Sequence, residues 1–407
     1  MTKVLVLCSQ CPYPPTDGAK LRLYNTAKIL SQRYTIDLLV INSEADEDAL
    51  SHLQSEFNRV IPFSHSKAKL YRNIAEGVVS RQPIRTNYYS FADVTQWLDK
   101  HQDEYDLLYA NYLNTTEYVR KRDTPKVVDL VDSMSENYLQ RAEPANDENY
   151  LKRKLYELEG WQLRRYEQTV LRSFDHSFIT TAADARTITG QTLPRNLTVI
   201  PNGVRDELLS APYNKSEDTA DDENPQIVFL GRMDYFPNED AVKYFATNVF
   251  PHVRERHPEA EFLIVGGHPS ERVQSLESHQ NVTVTGFVES LVEYLSEADV
   301  VVAPMRFGTG IQNKILEAMA LGKAVVTTPL GNEGIDGDDG THFIVVDSAS
   351  PFADAVSSLL DDPDDRMRIG KNARDLIHDR YSWSKIGPTL IEAIEKVLAD
   401  ADKRSRV

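Results

Sequence analysis

Lys314 and Glu317 stand three residues apart behind two glycines, in the stretch FGTGIQNKILEAMALGKAVVTTP (307–329). On a helix that spacing puts both charges on one face of the first turn. Gly308 and Gly310 allow a sharp backbone turn and a close approach to a ligand. The strand-like DVVVAP (299–304) precedes them, the helix is expected to begin near Ile311, and Gly322 ends it. The N–H groups of Gly308, Thr309, Gly310 and Ile311, at the positive end of the helix dipole, favour phosphate, and Lys314 adds a full charge. Glu317 repels phosphate but, as an acceptor, suits a pair of hydroxyls such as those of a ribose. Phosphate donors followed by a hydroxyl acceptor describe a site for a nucleoside diphosphate. An exposed ion pair worth ~0.2–0.5 kcal/mol would also explain the two charges, but not the paired glycines. A dinucleotide fingerprint fits poorly. GTGIQN has two of its three glycines and follows a late strand, whereas the fingerprint belongs on a domain's first strand.

The elements that must position such a site are short β-branched strands alternating with helices. In the first half these are KVLVLC (3–8), TIDLLVI (35–41), RVIPF (59–63), YDLLYA (105–110), KVVDLVD (126–132), SFITT (177–181) and LTVIP (197–201). In the second they are QIVFLG (226–231), EFLIVGG (261–267), VTVTGF (282–287), DVVVAP, KAVVTT (323–328) and FIVVD (343–347). Helical segments are expected at 19–32, 45–57, 91–101 and 149–173, and after the last strand near 350–360, 363–379 and 384–400. That alternation predicts an α/β protein of two doubly wound parallel sheets. A chain of 407 residues is long enough for two cores. Ligands bind such sheets at the carboxyl ends of the strands. The acidic stretch 205–225, bounded by Pro201 and Pro225, reads as an inter-domain linker.

Bulk properties narrow the function. The chain is 41% hydrophobic and 26% charged, and its net charge of −17 argues against non-specific nucleic-acid binding. Its start, MTKVLVLC, is too short for a signal-peptide core, and no run approaches a membrane span. A cytoplasmic protein is expected. Cys8 and Cys11 form a lone C-x-x-C with no second pair to complete a zinc site, so they read as small apolar thiols at a strand end.

Together with VIPNGV (199–204), FLGRMDYFPNEDAVKYF (229–245) and VTVTGFVES (282–290), the opening stretch resembles the retaining glycosyltransferases of family 4. It is most similar to the bacterial and archaeal sugar transferases of polysaccharide assembly. The similarity runs along essentially the whole chain and includes YSWSKIGPTLIEAIEKVL (381–398). It implies the GT-B fold, two Rossmann-like domains facing across a cleft. The acceptor domain would span 1–203, the linker 204–225 and the nucleotide-sugar domain 226–382, with a helix at 383–407 crossing back. It further implies that Glu317 holds the ribose, Arg232 neutralises the diphosphate, Val288 meets the nucleobase through its backbone, and Gly18 faces the donor phosphates, with Arg22 adding charge there. A solvated arginine at a strand exit is the other reading of Arg232.

Two positions depart from the family. Thr309 replaces the acid that reads hydroxyls of the transferred sugar, and Pro237 replaces a lysine five residues after Arg232, before Asn238, a probable helix cap. Lys314 is placed to supply the missing charge. No His ends the acceptor-side strand. Asp132 stands there instead, with Asp129 two residues earlier, and either orients the acceptor hydroxyl or caps the next helix. Segment 151–172 carries six bases against three acids. It reads as a packed amphipathic helix or as a basic face for an anionic membrane. The resulting expectation is a metal-independent retaining hexosyltransferase with no cofactor, in which Asp132, Arg232 and Lys314 are the catalytic set. It would take a nucleotide diphosphate sugar and a glycan or lipid-linked acceptor, in the cytoplasm or peripherally at the inner face of the membrane. A GT-B sugar-nucleotide 2-epimerase and a non-catalytic nucleotide-sugar-binding protein are the alternatives.

Overall fold

The apolar runs form strands because both faces of each sheet are covered by helices, which leaves few positions for polar side chains. The computed structural model describes residues 1–41, 46–66, 69, 70, 73, 83–143, 149–212 and 224–405. It contains two compact units, Met1–Asn202 with Ile386–Val407, and Gly203–Lys385. Of the expected linker, residues 213–223 lie outside the described residues. Before them, Leu208 is buried in the core of the second unit.

The first unit holds seven parallel strands in the order β3-β2-β1-β4-β5-β6-β7. They are β1 (Lys3–Cys8), β2 (Thr35–Ile41), β3 (Arg59–Phe63), β4 (Leu107–Asn111), β5 (Lys126–Asp129), β6 (His176–Ile179) and β7 (Leu197–Val199). Pro62 sits on the edge strand β3, where its missing N–H costs no ladder bond. Asp37, fully buried in β2, is held by the Tyr105 hydroxyl at 2.8 Å, the Asn58 amide at 2.6 Å and the Lys3 ammonium at 3.4 Å. A buried carboxylate without such partners would be strongly destabilising. Cys8 and Cys11 are buried free thiols at the end of β1. The helix Trp383–Ser405 belongs to this unit from Ile386 onward, with Gly387 packed on Ile29 and Glu395 paired with Arg33 at 3.2 Å.

The second unit holds six parallel strands in the order β10-β9-β8-β11-β12-β13. They are β8 (Gln226–Leu230), β9 (Glu261–Val265), β10 (Val282–Gly286), β11 (Val300–Ala303), β12 (Ala324–Thr327) and β13 (Ile344–Val345). The order in which strands are added reverses beside the first strand of each sheet, at β1/β4 and at β8/β11. The loops leaving those strands therefore flank a crevice at each switch point, which is where open α/β sheets take ligands.

Candidate functional site

In the second unit the loop leaving β11 carries the two glycines. Gly308 has φ +135° and Gly310 φ +72°, backbone that L side chains rarely adopt. A side chain at Gly308 would crowd the Gln312 amide, 3.3 Å from its Cβ. The helix spans Asn313–Ala320, two residues later than expected from the sequence, because Gln312 is its N-cap. Gln312 makes no side-chain cap bond to the first turn. Its side-chain Oε1 accepts from the Lys314 ammonium instead, at 3.1 Å. Ile311 is buried, Gly322 (φ +71°) ends the helix, and Thr309 is half-buried.

Lys314 is half-buried and points along the loop leaving β8. Its Nζ lies 2.8 Å from Asn238 Oδ1 and 5.2 Å from the centre of the Phe229 ring. Burial pushes its pKa down to about 7, against the pull of Glu317. Asn238 then donates through Nδ2 to the carbonyl of Arg232 at 2.9 Å. Asn238 is thus not the expected helix cap. The helix Phe236–Tyr244 starts earlier, with Tyr235 as N-cap, and Asn238 in its first turn joins the two loops.

Arg232 follows Gly231 at the exit of β8. Its guanidinium is more than half exposed and forks onto Asp234 at 2.9 and 2.7 Å, which holds that carboxyl below the usual range. The strand exits are close together. A Cβ on Gly266 would lie 1.8 Å from the Gly231 carbonyl oxygen, so no side chain fits there. Beyond β10, Phe287 is exposed and lies against Gly267, and Val288 packs partly into the core. Glu317, one turn into its helix, is 9% exposed. Burial raises its pKa, opposed first by Arg205, whose Nε lies 3.3 Å from Oε1. Arg232, Asn238 and Lys314 form one bonded chain, with Glu317 one turn further on. Sequence reasoning missed Arg205, Asp234 and the bridging role of Asn238. Only the clustering of polar residues around GRMDYFPN hinted at the last two.

The first unit behaves differently. Gly18 opens the helix Gly18–Ser31, with Asp17 as N-cap accepting from the Lys20 N–H at 2.9 Å. Arg22 does not face a ligand site, which corrects the expectation from the family. It is 2% exposed and donates to both oxygens of Asp129, at 2.7 and 3.0 Å. Its Nη1 also donates to the carbonyls of Ile200 and Pro201 and to the side chain of Asn202. With Thr26 and Ile29 it lies on the inward stripe of its helix. The i, i+4, i+7 spacing of those three positions was the available signal.

Asp132 leaves β5 half-buried. It does not cap the next helix, since Ser133 does, accepting from the Glu136 N–H. The Tyr112 hydroxyl donates to it at 3.4 Å. Tyr112 (φ +66°) and Val131 (φ +68°) both hold left-handed backbone, which is strained for a β-branched residue. Behind them Glu167 accepts from the Ser135 backbone N–H at 3.0 Å and from its hydroxyl at 2.6 Å. Burial pushes the Glu167 pKa up to about 7. No group of three or more potential metal ligands occurs among the described residues.

Residues 224–362 match the family profile described as "Glycosyl transferases group 1". The chain is 22% identical to an uncharacterized 44.6 kDa protein in the cps region of Klebsiella pneumoniae, covering 95% of this chain and 98% of that one. It is 32% identical to phosphatidyl-myo-inositol mannosyltransferase of Mycolicibacterium smegmatis over 49% of this chain, a match spanning 51% of that protein. The solved structure of Anabaena HepE in complex with UDP and glucose superposes with a TM-score of 0.66 at 18% identity, covering 97% of this chain and all of that one. Residues 224–362 thus carry a glycosyl transferases group 1 domain, and the two sheets have the GT-B fold of the solved glycosyltransferases they match.

Proposed function

We propose that the chain is a retaining, metal-independent glycosyltransferase of family 4 that takes a nucleotide diphosphate sugar, with a uridine diphosphate sugar as the first candidate. The observation that carries this reading is the bonded chain Arg232–Asn238–Lys314 at the exits of β8 and β11, with the carboxylate of Glu317 one turn on. Two cations and a mostly buried acceptor suit a diphosphate followed by a ribose. Donor binding exchanges partners here. The diphosphate displaces Asp234 from Arg232 and draws the ammonium of Lys314 forward. Both cations then stabilise the diphosphate as it leaves. Acceptor and leaving group lie on the same face of the sugar, so the departing phosphate takes the acceptor's proton while Asp132 orients its hydroxyl. Val288 meets the base through its backbone, Gly18 approaches the phosphates, and Thr309 faces the transferred sugar. The names of the relatives support a glycan or lipid-linked acceptor and favour transfer over the epimerase and sensor readings. The reaction would take place on the cytoplasmic side.

The test is a screen of nucleotide sugars by thermal stabilisation, followed by product analysis with an acceptor panel. A cognate donor should add about 2.7 kcal/mol at 100 times its Kd. The new linkage should keep the anomeric configuration of the donor, and turnover should survive EDTA. An inverted product, or a metal-rescuable loss of activity, contradicts the mechanism.

A further inference from the structure

The helix Tyr150–Ser173 is apolar on two opposite sides. Inward it buries Gly160, Leu163, Tyr166 and Val170, with Gly160 pressed against Leu139. Outward it shows Tyr150, Leu151, Leu155, Leu158 and Trp161, each at least half exposed. Of nine exposed large hydrophobics among the described residues, these five fall within a dozen positions, so the cluster is not scattered surface. Positions 151, 155 and 158 form one stripe, and Trp161 extends it by a turn.

The charges sort in the same way. Of the three acids in 151–172, two turn inward. Glu159 accepts from the Ile84 and Arg85 N–H groups, both at 3.1 Å, and Glu167 is held by Ser135. Only Glu157 stays outside, paired with Lys154 at 2.6 Å. Lys152, Lys154 and Arg165 remain on the exposed side, with Lys154 and Arg165 flanking the apolar stripe.

We infer that this outer face rests on an anionic lipid surface, with the leucines and Trp161 between headgroups and the bases on their phosphates. Leu and Trp over Lys and Arg is the chemistry of an interfacial helix. No helix among the described residues is long and apolar enough to cross a membrane, so the contact lies along the surface. A chain of net charge −17 is otherwise repelled by anionic lipid, which makes a local basic face necessary. A symmetric contact with a second copy would set these bases against themselves. The inference goes beyond the donor chemistry and does not depend on it.

The experiment is flotation without nucleotide, on vesicles of phosphatidylcholine alone or mixed with phosphatidylglycerol. Wild type should float with the anionic vesicles only and be released by salt. Leu155→Ser with Leu158→Ser should lower partitioning by about tenfold or more, and Lys154→Gln with Arg165→Gln by about tenfold. Both pairs should bind nucleoside diphosphate in calorimetry as wild type does, which separates this inference from the donor site. Wild type that ignores both vesicles, or a serine variant that partitions unchanged, overturns the proposal. A dimer that the serine variant dissolves assigns the face to a second copy and overturns it equally.

Discussion

Each unit places an arginine after the first strand of its sheet, and the two have opposite fates. Arg22 is sealed between Asp129 and the carbonyls that follow β7. Arg232 stands more than half exposed, forked onto its neighbour Asp234. A buried pair far apart in sequence fixes a strand exit, whereas an exposed fork on a nearby carboxylate can change partners. Burial and partner, not residue type, separate frame from tool.

The largest expected effect tests the frame. Arg22→Met leaves the Asp129 carboxylate buried and uncompensated, and should cost about 3–5 kcal/mol of stability. Arg22→Met combined with Asp129→Leu should regain part of it. Denaturant melts read both, and an Arg22→Met melt equal to wild type dissolves the comparison. Arg232→Ala should do the reverse. Its melt should match wild type, while binding of the cognate nucleoside diphosphate weakens by about 1.5–3 kcal/mol. Unchanged calorimetric affinity would return Arg232 to the solvated surface.

Glu167 sharpens the frame side through pH. Its pKa is raised from 4.5 to about 7, so the folded chain keeps a proton that the unfolded chain releases. Its stabilising contribution is complete below pH 4.5 and is lost as pH rises through 7. Glu167→Gln should therefore lag wild type most below pH 4.5, by a few degrees of Tm, with the gap closing as pH rises from 4.5 to about 7. A gap independent of pH would show that the carboxyl does not titrate there. The smallest effect belongs to Thr309→Val. It should leave nucleoside diphosphate affinity unchanged and shift the ranking among sugars on one nucleotide by less than about tenfold. Altered affinity for the nucleoside diphosphate would move Thr309 out of the sugar pocket.

Much of this was legible in the sequence. Strand positions were readable because buried parallel strands are apolar throughout, and the turn at 307–314 because its glycines have few other uses. What escaped was partner choice. Arg22 meets a carboxylate 107 residues away, and Lys314 an amide 76 residues away. No local pattern encodes such distances. Asn238 read as a cap because asparagine favours caps, yet tertiary bonds to Arg232 and Lys314 claimed its side chain.

The central claim is that the helix start at 313–320 grips the ribose of a nucleoside diphosphate. The most direct measurement is calorimetric titration of wild type and Glu317→Gln with that nucleotide and with two of its sugar conjugates, after melts confirm the fold. The account predicts that all three affinities fall together, by about tenfold. Wild-type affinity for the nucleoside diphosphate in Glu317→Gln would contradict it.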